Sequence, residues 1–125
     1  MSEIHESAEN YLETILMLSK KLPVVRSIDV SNEMGFRKSS VSIAMKNLRE
    51  SNYITVTKEG YIYLTDAGKE IAETILERHE LLTKWLMSLG IDSKIAEDDA
   101  CKIEHDLSKE TFAALKKVII QQIGE

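Results

Sequence analysis

Apolar positions recur along this chain at the three-to-four spacing of amphipathic helices, interrupted once by an alternation of period two. From about residue 5 to residue 20, Ala8, Tyr11, Leu12, Ile15, Leu16 and Leu18 form one inward stripe, which predicts a first helix. Asn10 and Glu13 stand at i, i+3 on a neighbouring flank of it. Leu22-Pro23 ends this helix, because the residue before a proline avoids the helical region. A short second helix is predicted over residues 26–34, with Ile28, Val30 and Met34 buried, and Gly35 then supplies a turn. The third runs from about residue 38 or 39 to residue 51, capped by a serine near its start and burying Val41, Ala44, Met45 and Leu48. A small residue, a glycine four on, a valine six beyond and a small apolar residue three further is a helix-turn-helix spacing, met here by Ser31, Gly35, Val41 and Ala44.

The period of two belongs to residues 53–57 and 61–64, two β-branched and aromatic runs around Lys58-Glu59-Gly60. They predict a hairpin with glycine at the loop position that favours positive φ. A helix-turn-helix followed directly by a short hairpin is a winged helix, with the hairpin as the wing. Thr65 caps a long fourth helix that ends at about Leu89, where Gly90 stops it. Asp92 or Ser93 starts a fifth, and Ser108 a sixth that carries Phe112, Leu115, Val118, Ile119 and Ile123. Three apolar helices beyond the wing exceed what one small subunit needs to pack, so they predict a dimer interface. The expected fold is mainly α: an N-terminal winged helix-turn-helix domain over residues 1–70 and a helical domain over residues 71–125.

Charge sharpens this division. The net charge of −5 over 125 residues argues mildly against nucleic acid as a partner, but the distribution matters more than the sum. Between Phe36 and Lys58 stand Arg37, Lys38, Lys46, Arg49 and Lys58 against Glu50 alone, whereas acids gather at the N-terminus and from Glu97 to Asp106. One basic window on an acidic chain suits a small DNA-reading face, and the acidic cluster suits a cation site. The acidic start lacks the basic-then-apolar order of a signal peptide, and no apolar run is long enough for a bilayer. A single cysteine excludes an internal disulfide; with the other features this implies a cytoplasmic protein with no membrane partner.

The fifth predicted helix sorts its residues into three stripes. Ala96, Ala100, Ile103 and Leu107 are apolar, and Asp98, Asp99, Lys102 and Asp106 are solvated. Between them lie Glu97, Cys101, Glu104 and His105 at i, i+4, i+7 and i+8. A lone buried cysteine or histidine is ordinarily structural, but a carboxylate buried beside a helix core without a cation would be costly. His79, on the fourth helix, offers another imidazole from across the bundle. Sulfur, nitrogen and oxygen donors together suit Fe(II), Co, Ni or Zn better than Mg or Ca. A zinc enzyme would need an open coordination position, a pocket and a general base. No His-Glu-x-x-His and no nucleophile beside a base is present, so a regulatory site is the more economical reading and the chain is expected not to be an enzyme. The competing readings are a winged-helix regulator that answers an organic ligand or a redox signal, with Cys101 redox-active or structural, and a small metalloenzyme.

Five stretches carry a resemblance across nearly the whole chain: Glu9-Asn10-Tyr11-Leu12-Glu13-Thr14-Ile15; the helix-turn-helix through Ser39-Ser40-Val41-Ser42; Leu64-Thr65-x-x-Gly68; Arg78-His79-Glu80-Leu81-Leu82; and Cys101-Lys102-Ile103-Glu104-His105-Asp106-Leu107-Ser108. In these the sequence resembles the metal-dependent repressors typified by the diphtheria toxin repressor and the manganese transport regulator, in their short form without an SH3-like domain. The resemblance implies a metal-binding and dimerisation domain after the winged helix, with metal as corepressor of a homodimer on a palindromic operator of metal-uptake genes. It implies metal ligands at Asn10, Glu13, His79, Glu97, Cys101, Glu104 and His105. Iron-type members place cysteine at the position of Cys101 and methionine at that of Asn10; manganese-type members place glutamate and aspartate there. Glu13 matches the manganese type, Glu97 stands where the iron type has an ancillary histidine, and Thr83 replaces an ancillary glutamate. The softer Cys101 favours Fe(II), with Mn(II) next. In the reading head Ser39, Ser40, Ser42, Ile43, Lys46 and Asn47 would face the major groove, while Arg37, Lys38, Arg49 and Lys58 would position phosphates.

Overall fold

The computed structural model describes residues 6–124. Its elements run α1 (Glu6–Ser19), α2 (Ser27–Met34), α3 (Lys38–Glu50), β1 (Ile54–Val56), β2 (Ile62–Leu64), α4 (Asp66–Ser88), α5 (Ser93–Ile103) and α6 (Lys109–Ile123). This is the mainly α order that the periodicity predicts; the expected start of the first helix at residue 5 lies outside the described residues. The chain divides into two compact units, residues 1–73 and 74–125, with the division inside α4. Among the described residues no helix is long and apolar enough to cross a membrane.

In the first unit α1 packs on α2, α3 and β2. Tyr11, Leu12, Ile15, Leu16 and Leu18 of α1 are buried, as are Val41, Met45 and Leu48 of α3, while Ala44 is half-buried. Burial deprives the Tyr11 phenolate of water and raises the hydroxyl's pKa above its ordinary value. The α2–α3 turn is closed by Gly35, whose φ of 70° lies in the left-handed region, and by its N–H bond to the Ser31 carbonyl at 2.9 Å. Ser31, where the helix-turn-helix spacing usually has alanine, is buried and donates its hydroxyl to the Phe36 carbonyl at 2.6 Å. The hydroxyl thereby clips the turn shut.

Two local expectations are corrected. Ile28 is 38% exposed, and Val30 and Ser31 are the buried residues of α2; in a helix of only eight residues the choice of inward face belongs to the neighbours. The third helix has no serine cap. Its N-cap is Arg37, in extended conformation and without a side-chain cap bond, so Ser39 and Ser40 fall inside the first turn. At the other end Asn52 adopts a φ of 65°, and the Tyr53 N–H reaches back to the Leu48 carbonyl at 3.0 Å. A left-handed asparagine ends the helix where glycine ordinarily would.

The wing is antiparallel with Ile54 opposite Leu64, Thr55 opposite Tyr63 and Val56 opposite Ile62; Val25 adds a bridge to Ile62. Alternation turns Ile54 and Ile62 into the core and leaves Thr55 and Tyr63 outside. Gly60, at φ 89°, turns the loop and donates to the Thr57 carbonyl. Thr65 then joins the wing to α4, accepting from the Gly68 N–H at 3.1 Å and donating to the Asn52 carbonyl at 2.8 Å. Removing this cap in Thr65→Ala is expected to lower stability by about 1 kcal/mol, with Thr65→Ser near the parent. Urea denaturation measures it, and an unchanged midpoint for alanine would show that the cap contributes nothing.

The second unit is built around Leu82, Ala100 and Ile119, against which Leu81, Trp85, Ile103, Leu107, Leu115 and Ile123 pack. α5 starts on the side chain of Asp92, which accepts the Lys94 N–H, and α6 on Ser108, whose hydroxyl accepts the Thr111 N–H at 3.0 Å. Met87, Leu89, Ile95 and Val118 remain exposed in this unit.

Candidate metal centre and DNA-reading face

Fully buried Ala96 and Ala100 present almost no bulk, so the backbone of α5 lies against the core and carries its next residues inward. The helix ends at Ile103, one turn earlier than the stripe pattern implies. Glu104 is its C-cap, still in right-handed conformation, and His105 lies in the turn beyond. Cys101, Glu104 and His105 therefore converge from a helix end and its following turn rather than from one continuous helical face. One donor atom from each, thiol, carboxylate and imidazole, lies within 4.8 Å of the others.

Glu104 is the centre of the cluster. Its side chain is 0% exposed, and the His105 side chain only 1%. The His79 Nδ1 is 2.8 Å from Glu104 Oε1. For an ionised Glu104 to accept there, Nδ1 must carry the proton. Glu104 Oε2 has no hydrogen-bond partner among the described residues; His105 Nε2 lies 3.6 Å away, beyond bonding reach. A carboxylate oxygen buried without a donor is strongly unfavourable in the absence of a cation. The orphaned oxygen, the half-buried thiol of Cys101 and the buried imidazole of His105 fit a divalent transition metal.

The other expected ligands are placed differently. Glu97 is exposed and outside this cluster; it lines a surface depression with His79, Glu80, Thr83 and Lys84. The Thr83 hydroxyl oxygen there is buried and has no hydrogen-bond partner among the described residues. On α1, Asn10 is half-buried and Glu13 is buried, both within the first unit.

The opposite outcome, exposure to solvent, marks the expected DNA-reading residues. Arg37, Lys38, Ser39, Ser40, Ser42, Ile43, Lys46, Asn47 and Arg49 are all exposed on or beside α3, and Lys58 is exposed in the wing loop. Ile43 is 63% exposed on the helix whose other face buries Val41, Met45 and Leu48. An exposed aliphatic among serines and cations suits contact with a thymine methyl group.

A winged helix with a basic recognition helix, followed by a helical unit with a buried S, N and O donor cluster, defines a metal-responsive DNA-binding regulator. The family models for iron-dependent repressors match in two pieces, the N-terminal DNA binding domain over residues 3–62 and the metal binding and dimerisation domain over residues 65–121. The HTH-type transcriptional regulator MntR of Bacillus pumilus is 34% identical over 102 residues, 82% of this chain and 71% of that one. An HTH-type transcriptional regulator of Methanocaldococcus jannaschii is 33% identical over 113 residues, 89% of this chain and 90% of that one. Among solved structures, a manganese-dependent transcriptional repressor in complex with manganese superposes with a TM-score of 0.81 at 25% identity, covering 90% of this chain and 52% of that one. T. acidophilum IdeR shares the fold, with a TM-score of 0.77 at 23% identity over 100% of this chain and 56% of its own. The chain thus spans about half the length of these solved relatives. It belongs to the family of metal-dependent transcriptional repressors that includes MntR and IdeR.

Proposed function

We propose that this protein represses metal-uptake genes as a homodimer on a palindromic operator, with Fe(II), or Mn(II) next, as corepressor. One observation above all supports the reading: the buried carboxylate of Glu104, with Oε2 orphaned and one oxygen within 4.8 Å of donor atoms of Cys101 and His105. Cys101, Glu104 and His105 would hold the cation, with His79 as a further donor. Asn10 and Glu13 are proposed as further ligands, and Glu97 as an ancillary one, from their place in the family pattern alone. When bound, the cation supplies positive charge that offsets the buried carboxylate. Cys101 contributes the soft donor that favours Fe(II) over Mn(II). Ser39, Ser40, Ser42, Ile43, Lys46 and Asn47 would read bases in the major groove, and Arg37, Lys38, Arg49 and Lys58 would position phosphates. Regulation then requires that ligation favour the DNA-competent conformation over the others, since equal affinity for both shifts nothing.

Fluorescence anisotropy tests this with duplexes selected from a random library in the presence of metal. Fe(II) under anaerobic conditions is expected to tighten binding by about 5- to 150-fold relative to chelator. Cys101→Ala is expected to lose most of that effect while keeping fold and dimer, and Cys101→Glu to shift the response toward Mn(II). Equal affinity with chelator and with metal would reject the sensor reading and favour a regulator that answers another signal. A Cys101→Ala variant with the parent's metal response would remove Cys101 from the ligand set.

A further inference from the structure

We infer that Arg78 is the positioning residue of this metal centre, holding in place the turn that carries Glu104 and His105. The inference rests on the metal-binding reading of the Cys101–His105 cluster. Arg78 is a buried arginine on α4. Its Nη1 donates to the Glu104 carbonyl at 3.0 Å and to the Leu107 carbonyl at 2.8 Å. Its guanidinium lies over the Phe112 ring of α6, with Cζ 5.1 Å from the centroid.

The two carbonyls are special by position. α5 ends at Ile103, and α6 begins after its Ser108 cap, so both acceptors fall where helical hydrogen bonding has stopped. One guanidinium satisfies both and places positive charge at the C-terminal end of α5, where the helix dipole favours it. His105 sits between the two tethered residues. His79, the next residue of α4, meets the Glu104 side chain at 2.8 Å. Consecutive residues of α4 thus hold Glu104 by its main chain and by its carboxylate. The tether also spans three helices, because the group that grips the end of α5 stacks on α6. Lysine replaces it only in part: an ammonium can donate to carbonyls but lacks the flat face that covers Phe112.

Loss of an outer-shell partner typically weakens metal affinity by about 10- to 100-fold, and Arg78→Met is expected to show that loss. The probe is Co(II), titrated into the full chain and followed by its d–d and thiolate charge-transfer absorption. The parent should bind with a thiolate band; Arg78→Met should bind more weakly with altered d–d bands, and Arg78→Lys should fall between. In chelator, with no metal bound, amide exchange at residues 104–108 should be faster in both variants than in the parent. Arg78→Lys keeps the charge and carries the test if Arg78→Met does not fold. A purely structural arginine would lower the melting temperature but leave the folded protein's Co(II) affinity, spectrum and local exchange at parental values, and that result overturns the proposal. Failure of the parent itself to bind Co(II) would overturn the metal reading, and this role with it. Parental binding with unaffected variants would reject Arg78 alone.

Discussion

Glu104→Leu is expected to leave the metal-free protein at least as stable as the parent, within about 1 kcal/mol, while abolishing its stabilisation by metal. The side chain is wholly buried, one oxygen is held by His79, and the other is orphaned. Removing a buried charge in favour of an apolar group of similar volume is neutral or stabilising when the charge was poorly compensated. Arg78 is insulated from the change, because it bonds the main-chain carbonyl of Glu104 rather than the carboxylate. The His79 side chain, 24% exposed, can turn its freed Nδ1 toward water. Metal, by contrast, should stabilise the parent by about 4 kcal/mol at a free concentration a thousand times its dissociation constant. Urea denaturation of both proteins, in chelator and in Co(II), separates the two contributions. If the leucine variant loses 3 kcal/mol or more in chelator, the carboxylate is an integral part of the metal-free core. The cation is then not needed to balance it.

Gly68→Ala is expected to destabilise the first unit by about 3 kcal/mol, against the usual gain from placing alanine in a helix. A Cβ at this position would lie 2.0 Å from the Tyr53 carbonyl oxygen and 2.9 Å from its carbon. The obstacle is backbone, and it is held on both sides. Thr65 N–H donates to that same carbonyl oxygen at 3.1 Å, and the Thr65 hydroxyl bonds Asn52 and Gly68. No side chain can rotate away to make room, so either the wing root or the first turn of α4 must move. A loss under 0.5 kcal/mol in urea denaturation would show that the junction yields readily, and the close approach would then not be what requires glycine.

Much of this architecture was legible in order and periodicity. The stripes at three-to-four spacing placed the helices, the alternation around Lys58-Glu59-Gly60 placed the wing, and the caps at Asp92 and Ser108 were readable from side chains alone. Such features are local: each depends on residues within a turn or two of one another. Errors came where the local signal was short or ambiguous. α2 is too short for its pattern to choose between Ile28 and Ser31, and a serine after Arg37 looks like a cap until the extended residue is found one place earlier.

By itself the sequence determined which elements form, that one helix carries a basic face, and that Cys101, Glu104 and His105 fall close enough to share a cation. Tertiary structure decided what those residues experience. Glu104 became a candidate ligand of unusual strength only when packing buried it completely and left one oxygen unanswered. Arg78 carried no signal beyond a charge beside His79, because its acceptors are main-chain carbonyls that any residue supplies. Gly68 was one letter of a family pattern until the Tyr53 carbonyl, just before β1, met it. Periodicity records which side of an element faces inward; desolvation and main-chain contact depend on what arrives from elsewhere in the chain.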